Sequence, residues 1–449
     1  LGLCLAGLAV APAAAAPVAQ PIRLSTDRLA TVGAQHATQV EPHAAALGST
    51  VVSVFQVGRF FDGGAAAIGF ATSRDAGRSW RSGLLPSLTT SSSPAGTADR
   101  ATDTTVAWDA VHARWLAESL TLSDRSTAVV VSASTDGLTW QPPVTVVSHP
   151  RPGQGEESTS LDKSWIACDD GTASPFRGRC YVAYTDFVGP GTSVAVQSTS
   201  DGGVTWSAPT RVRVGIDVPG VQPVVRPNGQ LVLVFLDGGG HLDAVRSDDG
   251  GLTFSAAHEP IAHIRNFRRR PQPNLLRVFP LPAVAVDGAG SVYVAWSDCR
   301  FRRRCTANDI VLVHSTASGW TAPRRIVAAN AGTNPDNVIP GLAVDPTTAG
   351  TRARIAVTFY TMRSAGCAAA RCRLDVRLAT SSTAGRTWTV RRLDTRAMPL
   401  TWLPRTSSGR MVGDYVSSVY AGGRAVGVFA LANRPRGNRL DESIHAAIR

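Results

Sequence analysis

Short segments in which apolar and polar residues alternate with a period of two recur along the chain. They come in pairs that bracket clusters of Gly, Pro, Asn or Asp, the pattern of β-hairpins. The clearest is AVAVDGAGSVYVAWSD, Ala283 to Asp298, with VVRPNGQLVLVFLD, SWIACDDGTASPFRGRCYVAYTD and GLAVDPTTAGTRARIAVTFY as relatives. A third strand such as SVAVQST and a fourth such as SAPTRVRV follow the hairpin. Four antiparallel strands per unit make a propeller blade. The units begin near His43, Thr104, Ser164, Gln222, Pro282, Pro340 and Asp414, mostly about 60 residues apart, the upper end for a propeller repeat. The expected fold is therefore all-β, a single β-propeller of seven blades, or six if one hairpin is an insertion. The last unit is short of strands, and PIRLS, Pro21 to Ser25, is expected to complete it and cover an edge of unpaired backbone groups.

Between third and fourth strands one phrase returns: TSDGGVTW from Thr199 to Trp206, SRDAGRSW ending at Trp80, SDDGGLTF ending at Phe254 and SSTAGRTW ending at Trp388. A shorter STDGLTW ends at Trp140, and a worn STASGW ends at Trp320. The Asp can accept N–H groups of its own turn, the Gly can take a positive φ, and the aromatic ring can anchor the turn. These phrases resemble the Asp-box, or bacterial neuraminidase, repeat of sialidases and of many other secreted propellers. The resemblance spans residues 73–388 and implies the propeller fold. Because Asp75, Asp136, Asp201 and Asp249 recur with the blades and not once per active centre, they read as structural.

The boxes share a face with the turn between strands one and two, so ligands are expected on the opposite face, near the central channel. Retaining sialidases clamp a substrate carboxylate with three Arg, attack with a Tyr activated by a Glu, and use an Asp as acid/base. Planar guanidinium forks match a carboxylate, and a neutral Tyr approaches an anionic sugar with less repulsion than a carboxylate would. On that resemblance Arg59 and Asp62 of VGRFFDGG supply an Arg and the acid/base. Tyr415 opens the last inner strand as the nucleophile does, Glu156 or Glu157 activates it, and Arg300, Arg363 and Arg410 complete the clamp. The chain departs from the family at its first blade, where the Arg-Ile-Pro signature is replaced by VEPHAAAL, with Glu41 before Pro42. One corner of the clamp is missing there. The implied function is a sialidase-like glycoside hydrolase acting on a terminal anionic sugar of glycoconjugates. The alternative is a non-catalytic propeller binding glycan, cell-wall polymer or protein, and a third reading is a uronate polysaccharide lyase with His43 near its site.

LGLCLAGLAVAPAAAAPVAQ at the start is apolar and rich in small residues, as a partial signal peptide over residues 1–19 would be, leaving the propeller as residues 20–449. No later apolar run is long enough to cross a bilayer, so a secreted, extracellular monomer is expected. Cys4 falls in the leader; Cys168 with Cys180, Cys299 with Cys305 and Cys367 with Cys372 are local pairs suited to disulfides. No zinc-module spacing and no HExxH occur, so no metal or cofactor is expected. The net charge of +12, with a pI near 10.1, is carried mainly by Arg and fits either a solvated basic surface or an anionic ligand. The run HIRNFRRRPQPNLLRVF, His263 to Phe279, has two Pro and no helical period, which argues against a DNA-reading helix. The expected partner is an anionic carbohydrate, not nucleic acid.

Overall fold

The computed structural model of the protein describes residues 20–150, 160–187, 193–213, 220–266, 275–326 and 334–449. The expected leader, and Glu156 and Glu157, lie outside the described residues. Regular structure within them is strand, apart from 3-10 turns at Arg303–Cys305, Gly350–Arg352 and Leu400–Trp402. The chain is all-β, and its four-stranded antiparallel sheets are consistent with a propeller.

Each expected hairpin is present. Their first strands are Ala34–Leu47, Arg100–Asp109, Leu161–Cys168, Val221–Val225, Ala283–Val286, Asp336–Val344 and Ser417–Ala421, and the sheets built on them are numbered one to seven in chain order. Sheets one and two are joined by a single Ala65–Ala101 pair. Sheet seven takes its outermost strand from the start of the described chain: Ile22–Arg23 pairs antiparallel with Glu442–Ile448, Ile22 lying opposite Ala446. Leu24 N continues the ladder with a 2.8 Å bond to Ile444 O.

The second and third strands read as nearly unbroken apolar runs because both of their faces are covered by neighbouring sheets. Leu116, Leu120, Val129 and Val131 of sheet two pack on Ile166, Val182 and Tyr184 of sheet three. Val232, Val234 and Leu242 of sheet four meet Val292, Val294 and Val311 of sheet five. The same happens between the last sheet and the first, where Val426, Val428 and Phe429 share a cluster with Val51, Phe55 and Val57. Each such side chain contributes about 1.5–3 kcal/mol on burial.

The repeated phrases fold as expected of them, and they also reach across sheets. Asp201 Oδ1 accepts from Val204 N at 2.9 Å and Thr205 N at 3.0 Å, and Thr199 Oγ1 donates to it at 2.7 Å. Gly203 has φ +88°, and a Cβ there would stand 3.1 Å from Leu116 of sheet two. Gly77 of the first sheet, φ +89°, would likewise meet Ile448 and Val426 of the last. A glycine is needed for both reasons, since a side chain would be strained and would push two sheets apart. The worn copy differs: its Thr316 and Gly319 face each other across a tight hairpin, because STASGW is two residues shorter than SSTAGRTW and leaves no room for the wider turn. Disulfides join Cys168–Cys180, Cys299–Cys305 and Cys367–Cys372.

Candidate functional site

In four inner strands the pairing slips, between Val40 and His43, Thr102 and Thr105, Asp162 and Trp165, and Val338 and Gly341. The first unpaired residue is left-handed in every case: Glu41 (φ 55°), Asp103 (φ 47°), Lys163 (φ 49°) and Ile339 (φ 55°). A bulge of this kind re-aims a side chain, and a left-handed non-glycine costs of order 1–3 kcal/mol. Three of the four are charged, and they come from adjacent sheets one, two and three. Glu41, Asp103 and Lys163 line one cavity of about 180 Å³ together with Arg59, Asp162 and Arg277.

The charges are tied to one another. Lys163 Nζ donates to Asp103 Oδ1 at 3.0 Å and to Asp414 Oδ2 at 2.9 Å, linking three sheets through one ammonium. Arg277 grips Asp414 with both arms, Nε to Oδ1 and Nη2 to Oδ2 at 2.8 Å each. Its own backbone is placed by Arg410, whose carbonyl accepts from Arg277 N at 2.7 Å. Glu41 accepts from Asp414 N at 2.9 Å and from the Gln56 amide. Arg59 Nη1 donates to Gln56 Oε1 at 3.3 Å and Gly64 O at 3.2 Å. Glu41, Arg59, Asp103 and Asp414 are each at most 2% exposed.

Burial divides the carboxyls. Desolvation is the main influence on Glu41; it outweighs the opposing pull of Lys163, and Asp414 and Asp103 add to it, so its pKa is pushed up to about 7. For Asp414 desolvation also pushes upward, but Arg277 and Lys163 overcome it and hold the group ionised, well below the usual range. Lys163 is penalised by burial, yet Asp103 and Asp414 raise its pKa well above the ordinary value. The cavity thus holds fixed cations beside one carboxyl that can carry a proton at neutral pH.

The residues nominated from sequence fall in several places. Arg59 lines the cavity. Asp62 sits on the adjoining turn, about half exposed, and is paired with Arg100 at 2.6 Å. Partial burial raises its pKa, but the Arg100 hydrogen bond and charge prevail and hold it below the ordinary value. Tyr415 is buried; its hydroxyl donates to Thr104 O at 3.2 Å and its ring meets Trp165 edge-on. With His43 and Trp165 it lines a second cavity, walled by residues of several first strands. The other Arg are engaged elsewhere: Arg300 with Asp298 and the His263 carbonyl, Arg363 with Asp375 through two bonds, and Arg410 with the Leu403 carbonyl at 2.7 Å. They and Arg59 do not share the cavity.

The group that does converge, Glu41, Asp103, Lys163, Arg277 and Asp414, was not nominated as a set. One signal was available. A charged residue occupies the same offset in VEPH, TDTT and DKSW, each two positions ahead of the residue that resumes pairing.

No family model matches the chain, and no curated protein matches it. Among solved structures, the chain is similar to a protein of unknown function from Dyadobacter fermentans, with 16% identity over 81% of this chain and 98% of that one, TM-score 0.49. It is similar to the Penicillium chrysogenum alpha-L-arabinanase complexed with arabinobiose, with 14% identity over 95% and 97% of the two chains, TM-score 0.47. A Hadza microbial sialidase gives 15% identity over 90% of this chain and 74% of that one, TM-score 0.49.

Proposed function

We propose that the protein is a seven-bladed propeller that hydrolyses the glycosidic bond of a terminal anionic sugar in the Glu41 cavity. The order of the inner strands supports the ring: each neighbours the next in chain order, and Ser417–Ala421 neighbours Ala34–Leu47. Ser417 Oγ accepts from Ala44 N at 3.1 Å across that last junction. The three disulfides fit an exported protein folded in an oxidising compartment.

The observation that carries the enzymatic reading is a buried carboxyl, Glu41, held near neutrality in a cavity that also presents Arg59, Lys163 and Arg277. A general acid works best with a pKa close to the working pH. Glu41 gives its proton to the leaving oxygen as the bond from that oxygen to the anomeric carbon breaks, and a water molecule adds to the same carbon and returns a proton to the Glu41 carboxylate; the three cations attract the sugar's anionic group, and Asp103, beside Lys163, supplies negative charge to offset what develops on the ring. Asp62 as rim acid/base and Tyr415 as nucleophile form the second assignment, the one implied by the family resemblance. A non-catalytic glycan-binding reading draws support from a specific observation, that Lys163 and Arg277 already share Asp414.

Release of a fluorogenic leaving group from sialoside, glucuronide and arabinofuranoside substrates separates these readings. With the best substrate, Glu41→Gln is expected to lower kcat by about 10²–10⁴-fold while circular dichroism shows the fold retained. Loss in Asp62→Asn and Tyr415→Phe with Glu41→Gln active moves the chemistry to those two residues. Turnover of no substrate by the parent leaves the binding reading.

A further inference from the structure

A cavity of about 330 Å³ lies away from the Glu41 site, where the turn of sheet six meets sheet seven. Its walls include two aromatic rings, Trp388 and Tyr420, two guanidiniums, Arg354 and Arg449, and the hydroxyls of Thr387 and Thr389. No Asp or Glu side chain lines it. Arg354 stacks over Tyr420 at 5.0 Å and is braced by Asp345 at 2.9 Å. Arg449 Nε is buried and has no hydrogen-bond partner among the described residues.

Trp388 ends the repeated turn that has lost its Asp. In the intact turns a carboxylate, as at Asp201, accepts the two following N–H groups. In sheet six Thr383 Oγ1 takes over by accepting from Thr387 N at 3.0 Å, and Trp388 Nε1 still donates to Gly385 O at 3.0 Å. The turn keeps its shape and its aromatic anchor while shedding the carboxylate that an intact turn holds against the hydroxyl equivalent to Thr387, which here meets Thr383 Oγ1 and lines the cavity. Aromatic plates with hydroxyls and cations suit a sugar ring bearing an acidic group, and the volume is that of a small-ligand site.

We propose that this cavity is a second, non-catalytic binding site for one anionic sugar residue, and that the Asp-to-Thr change at Thr383 creates it. The site does not rest on the hydrolase reading. Calorimetric titration with glucuronate, galactose 6-sulfate and neutral glucose tests it. The parent is expected to bind one or both anionic sugars and glucose at least about tenfold more weakly. Thr383→Asp, which restores a residue the other turns carry, and Arg449→Gln are each expected to weaken anionic binding about tenfold, whereas Glu41→Gln leaves this component in place. Glucose binding as tightly as the acids, no binding by the parent, or Thr383→Asp binding like the parent would each overturn the proposal. Circular dichroism of Thr383→Asp matching the parent excludes misfolding as the cause of a loss.

Discussion

Lys163 illustrates what one side chain does in this cavity. It stands between Asp103 and Asp414, and without it two buried carboxylates would lose a shared cation. Removing one member of a buried ionic group typically costs 3–5 kcal/mol, since the partners stay desolvated and uncompensated. Lys163→Met is therefore expected to lower the unfolding free energy by about that amount, measured by urea denaturation at pH 7. Glu41 makes stability depend on pH. Its folded pKa, about 7, lies above the ordinary 4.5, so the folded chain holds the proton more tightly. The stability from this group is complete below about pH 4.5 and is lost as pH rises through 7.

At the level of the element, the hairpins and the Asp-closed turns were legible because they rest on local rules: period-two alternation, turn residues, and an Asp that closes its own loop. The four Asp are held near pKa 2. At Asp75 and Asp136 the strongest influence is the turn's own hydrogen bonds, from Ser79 and Thr139; at Asp201 and Asp249 slight burial opposes and those bonds prevail. Their depressed pKa values add stability above about pH 4, lost as pH falls toward 2. Asp201→Ala is expected to lose about 1–2 kcal/mol at pH 7, with a smaller difference from the parent at pH 2, as denaturation midpoints at both values would show. The site was less legible. Glu41, Asp103 and Lys163 are some 60 residues apart in sequence and meet only because bulges turn them to a common space. Arg277 comes from the basic run that composition alone could not distinguish from a solvated surface.

For the whole molecule, stability depends on sheet seven packing against sheet one and taking Ile22–Arg23 as its outer strand. PIRLS could be assigned to that position because the last unit lacked a strand. Leu24, 4% exposed, donates the adjoining bond. Leu24→Pro removes that donor and the buried side chain, and is expected to cost about 2–4 kcal/mol and to increase aggregation on heating, followed by light scattering.

The claim on which the functional account turns is that Glu41 passes its proton to a substrate in the cavity it lines. The pH dependence of kcat/KM on the best glycoside tests this most directly. A basic limb with its midpoint near 7, absent from the residual activity of Glu41→Gln, is the predicted result. A profile flat from pH 6 to 8, or a limb that survives the substitution, would contradict it.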